Sequence, residues 1–131
     1  MTNTTRRYAK THEWVRVEGN IATVGISDHA QKEVTDVVYV EVPKTGKALK
    51  AGEEATTLES VKAAFSIYAP VSGTLAKANA ELEKDPGLIN QSPYEKGWIF
   101  AIEMSNPQEL ESLMTEEQYK EFLKEGEGVH H

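Results

Sequence analysis

The sequence contains no cysteine among its 131 residues. This absence excludes disulfides, cysteine-based metal sites and cysteine nucleophiles. If the protein takes part in redox chemistry, the sulfur or the electrons must come from a group that is attached to it.

Basic residues and long apolar runs are also scarce. The chain has 14 Lys and Arg against 21 Asp and Glu, which gives a formal net charge of −7. A nucleic-acid binder needs a basic face for the phosphates, and an acidic membrane leaflet repels an acidic chain. No apolar run approaches the roughly 20 residues of a membrane-spanning helix. We therefore expect neither a nucleic acid nor a membrane as partner.

Length and composition predict a single domain over 1–131, because 39% hydrophobic and 27% charged residues are ordinary for a globular protein. We expect a core at about 8–104, a helical segment at about 106–125 and a tail at 126–131. In that tail, His130-His131 resemble the remains of a purification tag. The first ten residues lack the apolar core of a signal peptide, which favours the bacterial cytoplasm, or the mitochondrial matrix for a processed form.

Short β-branched and aromatic runs, separated by turn residues, predict a mostly β protein. The predicted strands are 14–17, 21–26, 37–42, 55–58, 65–68, 74–80 and 98–104, and a brief run at 48–50 lies between turns marked by Gly46 and Gly52. Segment 84–97 has two prolines and two glycines and is predicted as a long loop. Ser27 and Thr115 are candidate N-caps, and the apolar spacing becomes helical after Pro107. This pattern predicts an all-β barrel or sandwich with short helices appended.

No arrangement of residues indicates catalysis. His12 and His29 do not have the spacing of a metal site. Ser27-Asp28-His29 contains the residue types of a triad, but adjacent residues cannot point at one another as a triad requires. We therefore predict no catalytic and no metal-ligating residue.

One lysine, Lys62, lies between two predicted strands in the segment LESVKAAFSIYAP. A tight turn there would project the side chain, and the small residues Ala63 and Ala64 leave its amine accessible. A lysine amine is protonated at neutral pH, and no residue nearby is an obvious base to activate it. A solvated turn lysine is the ordinary alternative. The context favours a lysine that another enzyme modifies, as in carrier proteins whose attached cofactor performs the chemistry.

Five segments of the chain carry a family resemblance: HEWVRVEGNIATVGISDHAQ, DVVYVEVP, ESVKAAFSIYAPVSG, NQSPYEKGWIF and ELESLMTEEQYKEFL. In their order and spacing, from about Tyr8 to Leu123, they resemble the H-protein family of the glycine cleavage system. The resemblance implies a barrel-sandwich hybrid of the lipoyl/biotinyl type with C-terminal helices, a monomer, and lipoate in amide linkage on Lys62.

The resemblance also implies partners. A pyridoxal-phosphate glycine decarboxylase (P-protein) loads the lipoyl group with an aminomethyl group, and an aminomethyltransferase (T-protein) passes the one-carbon unit to tetrahydrofolate. Dihydrolipoamide dehydrogenase (L-protein) reoxidises the dithiol. A lipoate ligase or a lipoyl/octanoyl transferase attaches the cofactor, and the chain itself is a carrier, not an enzyme.

Site residues follow from the matching positions. Glu59 falls in the stretch that modifying enzymes recognise, and Thr11 and Glu13 match positions that line the cleft in which the loaded arm rests. Some positions differ from the family pattern. Thr35 replaces a usual glycine, Phe65-Ser66 replace a usual Ser-Asp, and Glu33 stands where some members have a histidine. These changes predict an altered cleft and an exposed Phe65 beside Lys62.

Three other interpretations remain open. The chain could be an H-like relay of lipoyl or octanoyl groups in lipoate assembly, because the same lysine would serve both roles. It could be a biotinyl carrier or a 2-oxoacid dehydrogenase lipoyl domain. However, Val61 and Ala63 replace the methionines typical of biotinyl domains, and Val61 also replaces the acid usual before the lysine of dehydrogenase lipoyl domains. It could also be a β-rich interaction domain in which Lys62 is unmodified.

Overall fold

The computed structural model of the chain describes residues 6–128, with side chains described as far as Lys124. The strands are β1 Arg6–Tyr8, β2 Glu13–Glu18, β3 Ile21–Ile26, β4 Val37–Val40, β5 Ala48–Leu49, β6 Glu54–Ser60, β7 Ala64–Tyr68, β8 Gly73–Ala78 and β9 Phe100–Met104. The helices are α1 Asp28–Val34, α2 Glu81–Lys84, α3 Leu88–Gln91, a 3₁₀ helix Pro107–Ser112 and α4 Glu116–Gly128. The predicted tag residues His130 and His131 lie outside the described residues.

Two antiparallel sheets form the body of the molecule. One has six strands in the order β1-β2-β3-β9-β8-β5, and the other has three strands in the order β4-β6-β7. A continuous apolar core draws on both sheets; its fully buried members include Val15, Val24, Leu58, Ile67, Leu75, Phe100 and Ile102. This arrangement confirms the predicted all-β fold with short helices.

The strongest local signals in the sequence are confirmed. The hairpin around Gly19-Asn20 pairs Glu18 with Ile21 and Glu13 with Ile26. Ser27 caps α1, because its hydroxyl accepts a hydrogen bond from the Ala30 amide at 3.1 Å.

The second predicted cap is also confirmed. Thr115 forms a reciprocal capping box at the start of α4. Its hydroxyl accepts from the Gln118 amide at 3.2 Å, and the Gln118 side chain accepts from the Thr115 amide at 2.9 Å.

Several boundaries were wrong. The segment 84–97, predicted as a loop, contains the helix α3, and the helix α2 comes just before it. Each of these helices has only four residues, which is too short to show a helical period of apolar residues in the sequence. Strand β1 was not predicted, since three residues are too few to show alternation. The first C-terminal helix is a 3₁₀ helix, and β4 ends at Val40, before the predicted limit. The single-domain organisation stays a prediction.

Candidate modification site at the Lys62 hairpin

Lys62 lies in the turn between β6 and β7, as predicted. The two strands are antiparallel neighbours, and Glu59 pairs with Ala64 as the last regular pair before the turn. The side chains of Val61, Lys62 and Ala63 are all exposed. The lysine is therefore presented by a short turn on a sheet, which is the arrangement that a modifying enzyme needs.

Ser60 fixes the conformation of this turn. Its hydroxyl accepts hydrogen bonds from the amides of Lys62 at 3.0 Å and Ala63 at 3.2 Å, and it faces the Ala63 carbonyl oxygen at 3.3 Å. The Ser60 amide donates to the same carbonyl at 2.8 Å. Because one buried hydroxyl organises the backbone on both sides of Lys62, the lysine Cα is held in place while its side chain is exposed to solvent.

The turn is also anchored to the segment that joins α1 to β4. The Val61 amide donates to the Asp36 carbonyl at 3.0 Å, and Lys62 Nζ approaches the Glu33 carbonyl at 3.4 Å. Asn90 of α3 supports this segment, since its side chain accepts from the Val37 amide at 2.9 Å and donates to the Thr35 carbonyl at 2.8 Å. The Lys62 turn is therefore hydrogen-bonded to the α1–β4 segment, and that segment is in turn hydrogen-bonded to Asn90.

Glu59 lies on β6, three residues before Lys62. Its side chain is exposed, and its neighbours across the sheet are Tyr39 of β4 and Ala64 of β7. A partner that approaches Lys62 would meet this carboxylate directly.

Glu13 is a buried carboxylate and is only 1% exposed. Its Oε1 accepts a hydrogen bond from the Thr11 hydroxyl, and its Oε2 accepts from the Tyr68 amide at 3.0 Å. Burial raises the pKa of Glu13, and the hydrogen bonds from Thr11 and Tyr68 oppose that rise. The carboxylate therefore joins the end of β7 to the larger sheet.

An open cleft of about 300 Å³ lies beside this pair. It is lined by Thr11 and Tyr68 with Ala9, Gly52, Ala69, Pro70 and Leu113. Thr11 lies between Glu13 and solvent, and it is exposed. Glu13 itself does not line the cleft, but both of its hydrogen-bond donors, Thr11 and Tyr68, do.

The structure does not bring Lys62 into contact with Glu13. They lie towards opposite ends of β7, whose extended chain from Ala64 to Tyr68 spans about 13 Å. The outward positions between them, Ala64 and Ser66, carry small side chains that leave the surface of the sheet open. Only a long group attached to Lys62 and folded back along β7 could approach the cleft.

The residues that differ from the family pattern have defined places. Phe65 is half-buried, lies opposite Leu58 and packs against the core, so the prediction of an exposed Phe65 was wrong. The alternation of β7 turns it inward. Ser66 faces outward and donates to Glu54 at 3.0 Å. Thr35 has φ = 66°, the left-handed backbone that favours the glycine it replaces.

Sequence reasoning missed the supporting residues Ser60, Asp36 and Asn90. Ser60 lies within the quoted ESVK stretch and is a residue type that hydrogen-bonds to nearby amides, so its position next to a turn was a usable signal. Asn90 is distant in sequence, and nothing local indicates its contact with β4.

His12 and His29 do not form a metal site, and the described residues contain no group of three metal-ligating side chains. Their rings are 5.1 Å apart between centroids. His12 Nδ1 is 2.7 Å from the Tyr119 hydroxyl, which is 2.7 Å from Ser27 Oγ. Burial and the nearby His29 lower the pKa of His12, and Glu33 opposes this. His12 therefore joins the segment before β2 to α4.

Known proteins resemble this chain over most of its length. The sequence model of the family described as Glycine cleavage H-protein matches residues 6–126. Glycine cleavage system H protein from Xanthobacter autotrophicus is 53% identical over 120 residues, 92% of this chain and 96% of the relative. The mitochondrial Glycine cleavage system H protein of Drosophila melanogaster is 54% identical over 119 residues, 90% of this chain and 72% of the relative.

A solved structure also resembles this chain. The crystal structure of a glycine cleavage system H protein from Mycobacterium marinum matches with a TM-score of 0.78 at 28% identity, and the match covers 90% of this chain and 95% of that one. A sequence match over most of the chain and a shared fold together assign the family: the chain belongs to the glycine cleavage H-protein family, a family of lipoyl carriers.

Proposed function

We propose that this protein carries lipoate on Lys62 within the glycine cleavage system and that it is not itself an enzyme. The observation that carries the proposal is the Lys62 turn, in which the backbone is fixed by Ser60 while the amine stays exposed. A solvent-exposed lysine on a fixed turn is suitable for a carrier protein, because partner enzymes with different active sites can reach it one after another.

The attached lipoyl group would supply the disulfide that takes up and releases the aminomethyl group. The residues present fit such a group. Lys62 offers an amine for the amide bond, the small side chains of Ala64 and Ser66 leave the surface of β7 open, and the cleft at Thr11 and Tyr68 lies at the far end of that strand. The absence of cysteine is consistent with this assignment, since the chain provides no sulfur of its own.

The chain's own residues would position and protect the arm. Glu13, hydrogen-bonded by the Tyr68 amide, would accept a hydrogen bond from an amine on the arm. Thr11 covers the carboxylate and would exchange its own hydrogen bond for that of the amine. Ser66, which takes the place of an acid, donates a hydrogen bond to Glu54 and would offer the arm no carboxylate of its own.

The partners we propose are the P-protein, the T-protein, the L-protein and a lipoate ligase or lipoyl/octanoyl transferase, with Glu59 recognised by the attaching enzyme. For the compartment, we propose the bacterial cytoplasm or the mitochondrial matrix, since both bacterial and mitochondrial relatives are known. No helix among the described residues is long and apolar enough to cross a membrane.

The test is incubation with a lipoate ligase, lipoate and ATP, followed by intact-mass and peptide mass spectrometry. We expect one lipoyl adduct on the Lys62 peptide of the wild type and none on Lys62→Arg. Lys62→Arg should retain wild-type thermal stability, because an exposed side chain in a turn contributes little to the core. Lys47→Arg, at another exposed lysine, is the matched control and should be modified normally.

An unmodified wild type that is folded would overturn the carrier assignment.

The role in glycine cleavage needs a second experiment, in which lipoylated protein is combined with the P-, T- and L-proteins and glycine. Glycine-dependent reduction of NAD would support it. A lipoylated protein that supports no such reduction, but donates its lipoyl group to other proteins, would indicate the relay instead.

A further inference from the structure

Three large apolar side chains are exposed around the Lys62 turn. Val38 and Tyr39 are each 52% exposed and Val61 is 68% exposed, and these are the exposed large apolar side chains of the described residues. Burying such side chains is favourable, so a contiguous exposed set indicates an interaction surface.

The three residues are neighbours in space. Tyr39 is paired with Glu59, the partner of Ala64 at the end of the hairpin. The Val61 amide is bonded to the carbonyl of Asp36, two residues before Val38. We call Val38, Tyr39 and Val61 the tip patch.

A β-bulge exposes the first two of them. The pairing register of β4 with β6 shifts between Val37 and Tyr39, so Val38 has no partner residue of its own on β6. In a regular strand, alternate side chains point to opposite faces, and one of two consecutive residues would be buried. Here the burial order along β4 is buried, exposed, exposed, buried. Bulges next to functional sites commonly redirect side chains in this way.

The surroundings of the tip patch are acidic. Strands β4, β6 and β7 contain no Lys and no Arg, whereas Glu59 of β6 is paired directly with Tyr39. Asp36 and Glu41 are also exposed, and Glu41 accepts from the Thr57 hydroxyl at 3.2 Å on the outer face of this sheet. A second copy of the chain would place these carboxylates against each other across a two-fold axis, which is unfavourable.

We propose that the tip patch is the docking surface for the enzyme that acylates Lys62, and that this enzyme presents an apolar surface bordered by Lys or Arg side chains. This inference rests on the proposed carrier function. A lysine side chain is short, so its amine enters another active site only if that enzyme covers the residues around the turn. After acylation, the longer arm lets later partners bind further away.

The test measures kcat/KM for transfer of the lipoyl group from lipoyl-adenylate by a lipoate ligase. In this step an amide bond forms between the lipoyl carboxyl carbon and Lys62 Nζ, the bond to AMP breaks, and the ammonium group releases two protons. We expect Tyr39→Ala to lower kcat/KM by about tenfold or more, as for an aromatic residue central to an interface. Val38→Ala should lower it several-fold. Thr74→Ala, exposed on the other sheet, should leave it unchanged.

The charged border is tested with a matched pair. Glu41→Gln should lower kcat/KM and weaken its dependence on salt, while Glu103→Gln, exposed on β9 of the other sheet, should do neither. Equal values for Glu41→Gln and Glu103→Gln at low salt would overturn the cationic border of the partner.

A control separates the loss of enzyme docking from a change in the reactivity of the Lys62 amine. Acetic anhydride needs no docking, so it should acetylate Lys62 at the same rate in the wild type, Tyr39→Ala and Val38→Ala. Wild-type lipoylation with unchanged kcat/KM in both variants would overturn the tip patch while leaving the carrier function intact. A wild type that is not lipoylated would overturn both. A dimer in light scattering that Tyr39→Ala dissociates would assign the patch to a second copy and overturn the inference.

Discussion

At the scale of the residue, two positions are energetically unfavourable, one for its backbone conformation and one for its buried charge. Thr35 ends α1 with φ = 66° and ψ = −153°, a backbone conformation that L residues other than glycine rarely adopt. Its carbonyl accepts from Asn90, so the strained residue is held by its neighbours and lies directly behind the Lys62 turn. Glu13 is a carboxylate that is almost fully buried.

We predict that Thr35→Gly stabilises the protein. Relief of a left-handed conformation is worth about 1–3 kcal/mol, and the greater freedom of glycine in the unfolded chain offsets about 0.5–1 kcal/mol. The free energy of unfolding, measured with urea, should therefore rise by about 1 kcal/mol. Thr45→Gly is the matched control, since Thr45 is an exposed turn residue outside the positive-φ region, and it should bring no gain. Equal changes for both would contradict the strain at Thr35.

We predict that Glu13→Gln is more stable than the wild type at pH 8 and that its advantage shrinks as the pH falls towards 4.5. Burial raises the pKa of Glu13, so the folded state binds more protons than the unfolded state between pH 4.5 and that raised value. Wild-type stability is therefore lost as pH rises through this window, whereas the neutral amide does not titrate. Urea unfolding of both proteins at several pH values checks this.

The same variant tests the arm cleft. If Glu13 holds the amine of the loaded arm, Glu13→Gln should release the aminomethyl group by hydrolysis faster than the wild type. A constant stability difference at all pH values would contradict the buried, titrating carboxylate, and an unchanged lifetime would remove Glu13 from the cleft.

At the scale of the element, the pairing of β8 with β9 depends on one glycine. Gly73 begins β8 opposite Met104, with φ = 156°. A Cβ built there would lie 2.1 Å from the Glu103 carbonyl oxygen, closer than any real contact. The two strands approach each other only because this residue has no side chain.

We predict that Gly73→Ala destabilises the protein by about 2 kcal/mol or more, because backbone must shift to admit the methyl group. Gly87→Ala is the matched control. A Cβ there would make only ordinary contacts, the nearest being 3.6 Å from an Asp85 oxygen, so its effect should be small. Thermal unfolding of both variants checks this, and a wild-type melting temperature for Gly73→Ala would contradict the close approach.

At the scale of the whole molecule, α4 is attached to the first strands of the chain. The ring of Tyr119 stacks on Tyr8 at 4.3 Å, and its hydroxyl meets His12 and Ser27. His12 faces His29, Glu33, Tyr119 and Phe122, so this attachment contains an imidazole whose pKa is lowered by burial and by His29.

We predict that acidification weakens this attachment. The pKa of His12 is lowered in the folded protein, so below about pH 6.5 the unfolded state binds more protons and stability falls with the pH. Urea unfolding should show a steeper loss between pH 7.5 and 5.5 for the wild type than for His12→Asn, in which asparagine tolerates the left-handed backbone of φ = 79°. Parallel slopes would contradict a role for His12.

Most of the confirmed structural predictions depend on local sequence signals. The Gly19-Asn20 hairpin, the Ser27 cap and the Lys62 turn each depend on residues close together in the chain. The bulge at Val38 and the inward position of Phe65 could not be predicted, because both depend on which strand lies alongside.

The sequence by itself determined the β class of the protein and the turn that presents Lys62, because hydrophobic alternation and turn residues act over a few neighbours. Its composition also excluded any cysteine sulfur in the chain. Only the tertiary structure decided that Asn90 supports the hairpin from behind, that Glu13 is buried against the end of β7, and that Val38, Tyr39 and Val61 lie together. These are contacts between distant segments, and they exist only once the sheets have paired and the core has been buried.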